Sequence, residues 1–146
     1  GMPSHGVLTT IDVDAEHQRA AKEAFAAAGV THQRTRVITG RAQEVLSRMT
    51  DGAYDLVFVD GAKAEYPDYV AAATRLLRQG GVLVMEHADS QGDSLPAALR
   101  ATGLWADVVD HADLTGRPRV TVALRAEPTG WRALDRGLHE PSPVRP

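Results

Sequence analysis

The stretch Y-D-L-V-F-V-D-G-A-K-A-E-Y-P-D-Y, Tyr54 to Tyr69, constrains the fold more than any other part of the chain. Residues 56–59 are a continuous apolar run, too short for a helix and rich in β-branched and aromatic side chains. That is the pattern of a strand buried on both faces. The run stops at Asp60, a glycine follows, and Pro67 falls where a first helical turn begins. The spacing therefore predicts strand, carboxylate, loop and helix. Ligands of open α/β sheets bind outside the carboxyl ends of the strands, so Asp60 stands where chemistry is expected. The alternative for one acid in isolation is a loop cap, and the remaining segments bear on that choice.

The same alternation recurs along the chain. Residues 7–11 read as a strand ending at Asp12, and Asp14 is placed to cap a helix over residues 15–28, closed by Gly29. That helix is expected to bury Ala21, Ala24, Phe25 and Ala28. Residues 36–39 read as a strand ended by Gly40, followed by a helix with Ala42, Val45, Leu46 and Met49 on one face. The helix opened by Pro67 turns Val70, Ala73, Leu76 and Leu77 inward and is closed by Gln79-Gly80-Gly81. A strand over residues 82–85 then runs into Glu86 and His87. Alternating strands and helices with short connections predict parallel βαβ units. From Ser94 a shorter helix is expected to end at Gly103, and residues 105–109 and 119–124 read as an antiparallel pair joined at Thr115-Gly116. The expected fold is α/β and Rossmann-like: a doubly wound, mostly parallel sheet with an antiparallel C-terminal strand pair. It would occupy residues 1–125. Residues 126–146 hold four of the eight prolines and are expected to be a loose tail on which Trp131 and Leu134 can dock.

Composition narrows the function. A net charge of -3 and the lack of any lysine or arginine block give no electrostatic handle for nucleic acid or an anionic membrane. With no cysteine, disulfides, thiolate metal sites and cysteine nucleophiles are excluded, which fits a cytoplasmic protein. No apolar run approaches the ~20 residues needed to span a bilayer.

Asp12, Gly40 with Gln43, and Asp60 with Glu86 all fall at the ends of expected parallel strands and would share one rim. A carboxylate offers two acceptor oxygens to a pair of vicinal ribose hydroxyls. The loop after the following strand can set backbone N–H groups against a purine edge.

Four ordered segments, G-V-L-T-T-I-D-V-D, G-R-A-Q-E-V-L, the Tyr54 to Tyr69 stretch and L-L-R-Q-G-G-V-L-V, resemble the class I S-adenosylmethionine-dependent O-methyltransferases, in particular the bacterial branch related to caffeoyl-CoA and catechol O-methyltransferases. The resemblance covers roughly residues 6 to 86. It implies that Asp12 and Val13 meet the cofactor's ribose, that Gly40, Arg41 and Ala42 meet its adenine, and that Asp60 touches the cofactor. Arg41 stands where many members have Asp, and Ala62 where Asp is often found. Lys63 matches a lysine near the reacting hydroxyl, and Asp60 and Lys63 are the expected catalytic residues. Glu86 and His87 take the place of an Asp-Asn pair that completes a divalent site with Asp60 in metal-dependent members, with Mg or Mn as the ion. Two carboxylates and an imidazole suit Mn, Fe or Zn better than Mg. The other reading of this trio is a polar rim without a metal, and Lys63 reads equally well as a solvated loop lysine.

The family's first βα unit, with its glycine-rich loop, has no counterpart before Val7. Its strand would be the central one, between those ending at Asp12 and Asp60, so an unpaired edge and a homodimer are expected. From Glu86 on, E-H-A-D-S-Q-G-D-S-L-P and D-L-T-G-R-P-R-V-T-V-A look more like release-factor glutamine N5-methyltransferases, though V-D-G-A stands where that family has N-P-P-Y. The expected function is methyl transfer to a hydroxyl of a small molecule. The alternatives are a glutamine N5-methyltransferase-like enzyme and a non-catalytic methyltransferase-like binding module. The other histidines, and Asp107, Asp110 and Asp113, are expected to be solvated.

Overall fold

The computed structural model describes residues 2–127. The chain divides into two compact units, one up to Met49 and the other from Thr50 onward. The tail expected over 126–146 lies outside the described residues, apart from Ala126 and Glu127.

In the first unit, β1 (Leu8–Asp12) and β2 (Thr35–Thr39) form a two-stranded parallel sheet in which Asp12 pairs with Thr39. Between them runs α1 (Ala15–Ala27), capped by Asp14, whose Oδ1 accepts from the Glu16 amide at 2.7 Å. Gly29, at φ +70°, then reverses the chain in a conformation that costs other residues strain. The buried stripe of α1 is narrower than the alanine pattern suggests, because Ala24 and Ala28 are exposed. Its anchor is the buried Gln18, whose Nε2 donates to the Ile38 carbonyl at 2.8 Å and so ties helix to strand. The next helix, α2 (Ala42–Leu46), is shorter than its apolar spacing predicts. The Ser47 hydroxyl turns back onto the Glu44 carbonyl at its end, and Met49 lies beyond it.

The second unit is a four-stranded sheet in the order β3-β4-β6-β5. Strands β3 (Tyr54–Val59) and β4 (Leu77–Glu86) are parallel, joined through α3 (Tyr66–Leu76). After α4 (Ser94–Ala101) come β5 (Trp105–Ala112) and β6 (Pro118–Arg125), and β6 lies antiparallel to both β4 and β5. The C-terminal pair is as the sequence predicts. Gln79-Gly80-Gly81, expected to close a helix, instead belongs to β4, which begins directly at Leu77. An irregularity between the Tyr54 and Leu56 pairings absorbs those residues.

The two faces of this sheet differ. Register places Val57 and Val59 beside Leu83 and Met85, and Thr121 and Ala123 continue the same face. With Tyr66, Ala73 and Leu77 around α3 and Leu99 of α4, these side chains make the core, and Leu83, Met85 and Ala123 are 0% exposed. The opposite face carries Leu56 and Phe58 beside Val82 and Val84, followed by Val122, Leu124 and Val109. Leu56 is 55% exposed and Phe58 58%. The reading of residues 56–59 as buried on both faces is therefore corrected. The helices of this unit cover one face, and the apolar run continues onto a face that neither of them covers.

Candidate functional site

Each unit gathers part of the expected rim. In the first, pairing of Asp12 with Thr39 sets the two strand ends side by side, and the Gly40 amide donates to the Asp12 carbonyl at 2.9 Å. Asp12 and Val13 thus neighbour Gly40, Arg41 and Ala42, as expected. The Asp12 carboxylate accepts from the Asp14 amide at 2.8 Å and lies 3.2 Å from the Nδ1 of His17. That amide first, and the His17 ring after it, hold its carboxyl below the usual carboxylate range. His17, expected only as a surface histidine, is exposed but belongs to this cluster. Its position five residues after Asp12, in the first turns of α1, was the available signal. The two carboxylate oxygens offer about four lone-pair sites, which leaves room for further donors. These acceptors fit the two hydroxyl donors of a ribose diol.

In the second unit Asp60 follows β3 and Glu86 ends β4, and the Val59 to Met85 pairing sets these two strand ends adjacent. Asp60 and Lys63 are exposed, and Lys63 opens a single turn of 3-10 helix before α3. Between the strand ends lies Tyr66, only 5% exposed, with its hydroxyl donating to the Glu86 carbonyl. Burial first, then the nearby charges of Asp60 and Glu86, raises its pKa. Sequence reading passed over Tyr66 because a tyrosine beside Pro67 reads as a helix start. Gly61 lies close under the Tyr69 ring, where a Cβ would come within 2.9 Å and push the ring aside. Tyr69 in turn donates to the Glu65 carboxylate.

His87 does not join this rim. It is fully buried, its Nε2 lies 2.6 Å from Asp110 Oδ2 and its Nδ1 lies 2.8 Å from the Ala88 carbonyl. The Thr121 hydroxyl donates to the same Asp110 oxygen at 2.8 Å. Both ring nitrogens therefore face protein oxygens and neither is free to ligate an ion. The expected trio of Asp60, Glu86 and His87 is corrected: His87 is withdrawn from it, and Asp60 and Glu86 remain at adjacent strand ends. No group of three or more metal-binding side chains forms among the described residues. Asp110, expected in a solvated turn, is likewise corrected. It sits on the covered face of β5, opposite Thr121. Asp113 does form a turn, accepting from the Thr115 hydroxyl at 2.6 Å and from backbone amides that help lower its pKa to about 2.

Comparison with known proteins agrees with both halves. Residues 1–120 match the family model described as O-methyltransferase, which takes in most of the segment that resembled glutamine N5-methyltransferases. "Probable O-methyltransferase Rv1220c" of Mycobacterium tuberculosis (strain ATCC 25618 / H37Rv) is 58% identical over 88 residues, which are 60% of this chain and 39% of that protein. The match therefore spans well under half of that relative. A crystal structure from Corynebacterium glutamicum superposes with a TM-score of 0.75 at 28% identity, covering 89% of this chain and 65% of that one. The O-methyltransferase TomG of Streptomyces achromogenes, solved with S-adenosylmethionine, gives a TM-score of 0.66 at 28% identity, covering 86% of this chain and 64% of its own. With the acid and loop at the end of the β1–β2 pair, and the adjoining strand ends of β3 and β4, the chain belongs to the O-methyltransferase family, with its Rossmann-like α/β fold.

Proposed function

We propose that this chain binds S-adenosylmethionine through its first unit and serves methyl transfer to a hydroxyl of a small molecule, in the cytoplasm. The observation that carries this reading is the joint placement of the Asp12 carboxylate and the Gly40 amide at one end of the β1–β2 pair. Asp12 would hold the ribose, with Val13 alongside, and Gly40, Arg41 and Ala42 would meet the adenine. When bound, the cofactor supplies an electrophilic methyl on a sulfonium. Asp12 is suited to its part because it stays ionised throughout the neutral range, its pKa lying below the ordinary value.

On the second unit, Lys63 is proposed to stand beside the substrate hydroxyl, its ammonium favouring the oxygen's ionised form, and Asp60 is the proposed contact to the cofactor. Tyr66 fixes the start of α3 to the end of β4 and so holds the loop bearing both groups against the Glu86 end. No helix among the described residues is long and apolar enough to cross a membrane. A non-catalytic binding module is the second reading, favoured by the exposure of Lys63, and it differs in predicting binding without turnover.

Calorimetry with S-adenosylmethionine tests the proposal. Binding is expected, weakened at least ~10-fold in Asp12→Ala, about the loss of one charge-assisted hydrogen-bond set. Equal affinity in the variant, or no heat at millimolar cofactor, would end it. Incubation with a catechol-type diol then separates turnover from binding alone.

A further inference from the structure

From the carbonyl of Glu86 to the carbonyl of Ala88, every backbone polar group at the end of β4 has a partner inside the second unit. The Tyr66 hydroxyl donates to the Glu86 carbonyl, and the His87 amide donates to the Arg119 carbonyl at 2.9 Å. The Arg119 guanidinium donates to the His87 carbonyl at 3.4 Å. The Ala88 amide donates to Gln91 Oε1 at 3.1 Å, and the Ala88 carbonyl accepts from the Gln91 amide at 2.8 Å. The same carbonyl faces the His87 Nδ1. On its other side the ring closes the set through Asp110, which also takes the Thr121 hydroxyl.

A histidine that ligates a metal gives one ring nitrogen to the ion and the other to a carboxylate or backbone carbonyl, which fixes the ring. His87 gives both nitrogens to partners of that second kind. Its Nδ1 carries a proton, because a carbonyl only accepts, and so has no lone pair for an ion. Turning the ring outward would strip Asp110 of the imidazole and leave partners unpaired in a part of the unit where His87 itself has no exposure. We infer that His87 is a positioning residue in place of a ligand: its ring, clamped between Asp110 and the Ala88 carbonyl, sets Glu86 beside Asp60 by hydrogen bonding, and the site is built to work without a divalent cation. This rests on reading the adjoining ends of β3 and β4 as the site. An ion's organising part, the fixing of one carboxylate-bearing strand end beside the other, is then done by protein groups before any ligand arrives.

The test uses the full chain free of cofactor and substrate, so it can fail while the methyl-transfer reading stands. Mn²⁺ alone is titrated to ~1 mM, the weak end of protein sites for divalent ions, and the free ion is read by electron paramagnetic resonance. Any ion bound is expected to be bound equally by Asp60→Asn and Glu86→Gln. A bound ion that either substitution removes would overturn the inference. Amide hydrogen exchange reads the positioning role. In Asp110→Ala the His87 and Ala88 amides are expected to lose at least ~10-fold more protection than the Leu83 amide in the interior of the same strand. Asp110→Asn, whose side-chain amide can still meet Nε2, is expected to restore it. Thr121→Val removes only the hydroxyl on Asp110; it is expected to give the same local pattern at smaller size, and serves if Asp110→Ala does not fold. Equal losses along β4, or no rescue by Asp110→Asn, would mean that the pair only adds stability and would likewise overturn the inference.

Discussion

The two faces of the second unit's sheet are made by alternate residues of the same strands, yet they have opposite fates. On one face Leu83, Met85 and Ala123 lie under α3 and α4 with no exposure, and the register ends in the buried His87, Asp110 and Thr121 cluster. On the other face Leu56 and Phe58 stay more than half exposed in equally apolar company. Strand composition is thus the same on both sides, and what differs is whether the helices of this unit lie across it. Apolar burial and polar pairing contribute to stability only where water is excluded.

That contrast is easiest to break at its polar end. Asp110→Ala leaves the buried His87 Nε2 and the Thr121 hydroxyl without their shared partner and is expected to destabilise the chain by ~2–5 kcal/mol, read from the urea midpoint. A shift under about 1 kcal/mol would mean that water reaches the ring. Next in size, Leu83→Ala should cost ~2–5 kcal/mol through lost transfer energy and a residual cavity. Phe58→Ser, at a position already 58% exposed, should stay within ~0.5 kcal/mol. Similar losses for the two would show that the open face is covered in solution.

The smallest effect sharpens the comparison from outside both faces. Asp113, in the turn between β5 and β6, has a folded pKa of about 2, depressed from 3.8 chiefly by the Thr115 hydroxyl, with backbone amides adding to it. A depressed acid contributes stability that is fully present above about pH 4 and is lost as the pH falls through about 2. An NMR titration midpoint near 3.8 instead would mean that the turn is not formed.

Most of the local architecture was legible. The Asp14 cap, the turn at Gly29, the antiparallel pair around Thr115-Gly116 and the strand ends at Asp12, Asp60 and Glu86 all follow from turn chemistry and from short apolar runs. The neighbouring of Asp12 and Gly40 was also readable, because parallel strands joined by one helix place their carboxyl ends on the same edge. His87 was misread for a physical reason. Its partner Asp110 comes 23 residues later on an antiparallel strand, and only the β4-β6-β5 register sets the two on one face. Tyr66 escaped notice likewise, its hydroxyl reaching across from one strand's loop to the end of another.

By itself, the order of residues determined most of the strands and helices and that acids stand where β1, β3 and β4 stop, since propensity, capping and glycine conformation act over a few neighbours; the start of β4 at Leu77 and the short α2 were not among them. Tertiary structure alone decided which side of each strand is dry. L-V-F-V reads as one apolar run, but whether Leu56 and Phe58 are sealed like Val57 and Val59 depends on a layer laid across the sheet by distant chain. No local pattern encodes that, because removal of water is a property of two surfaces meeting.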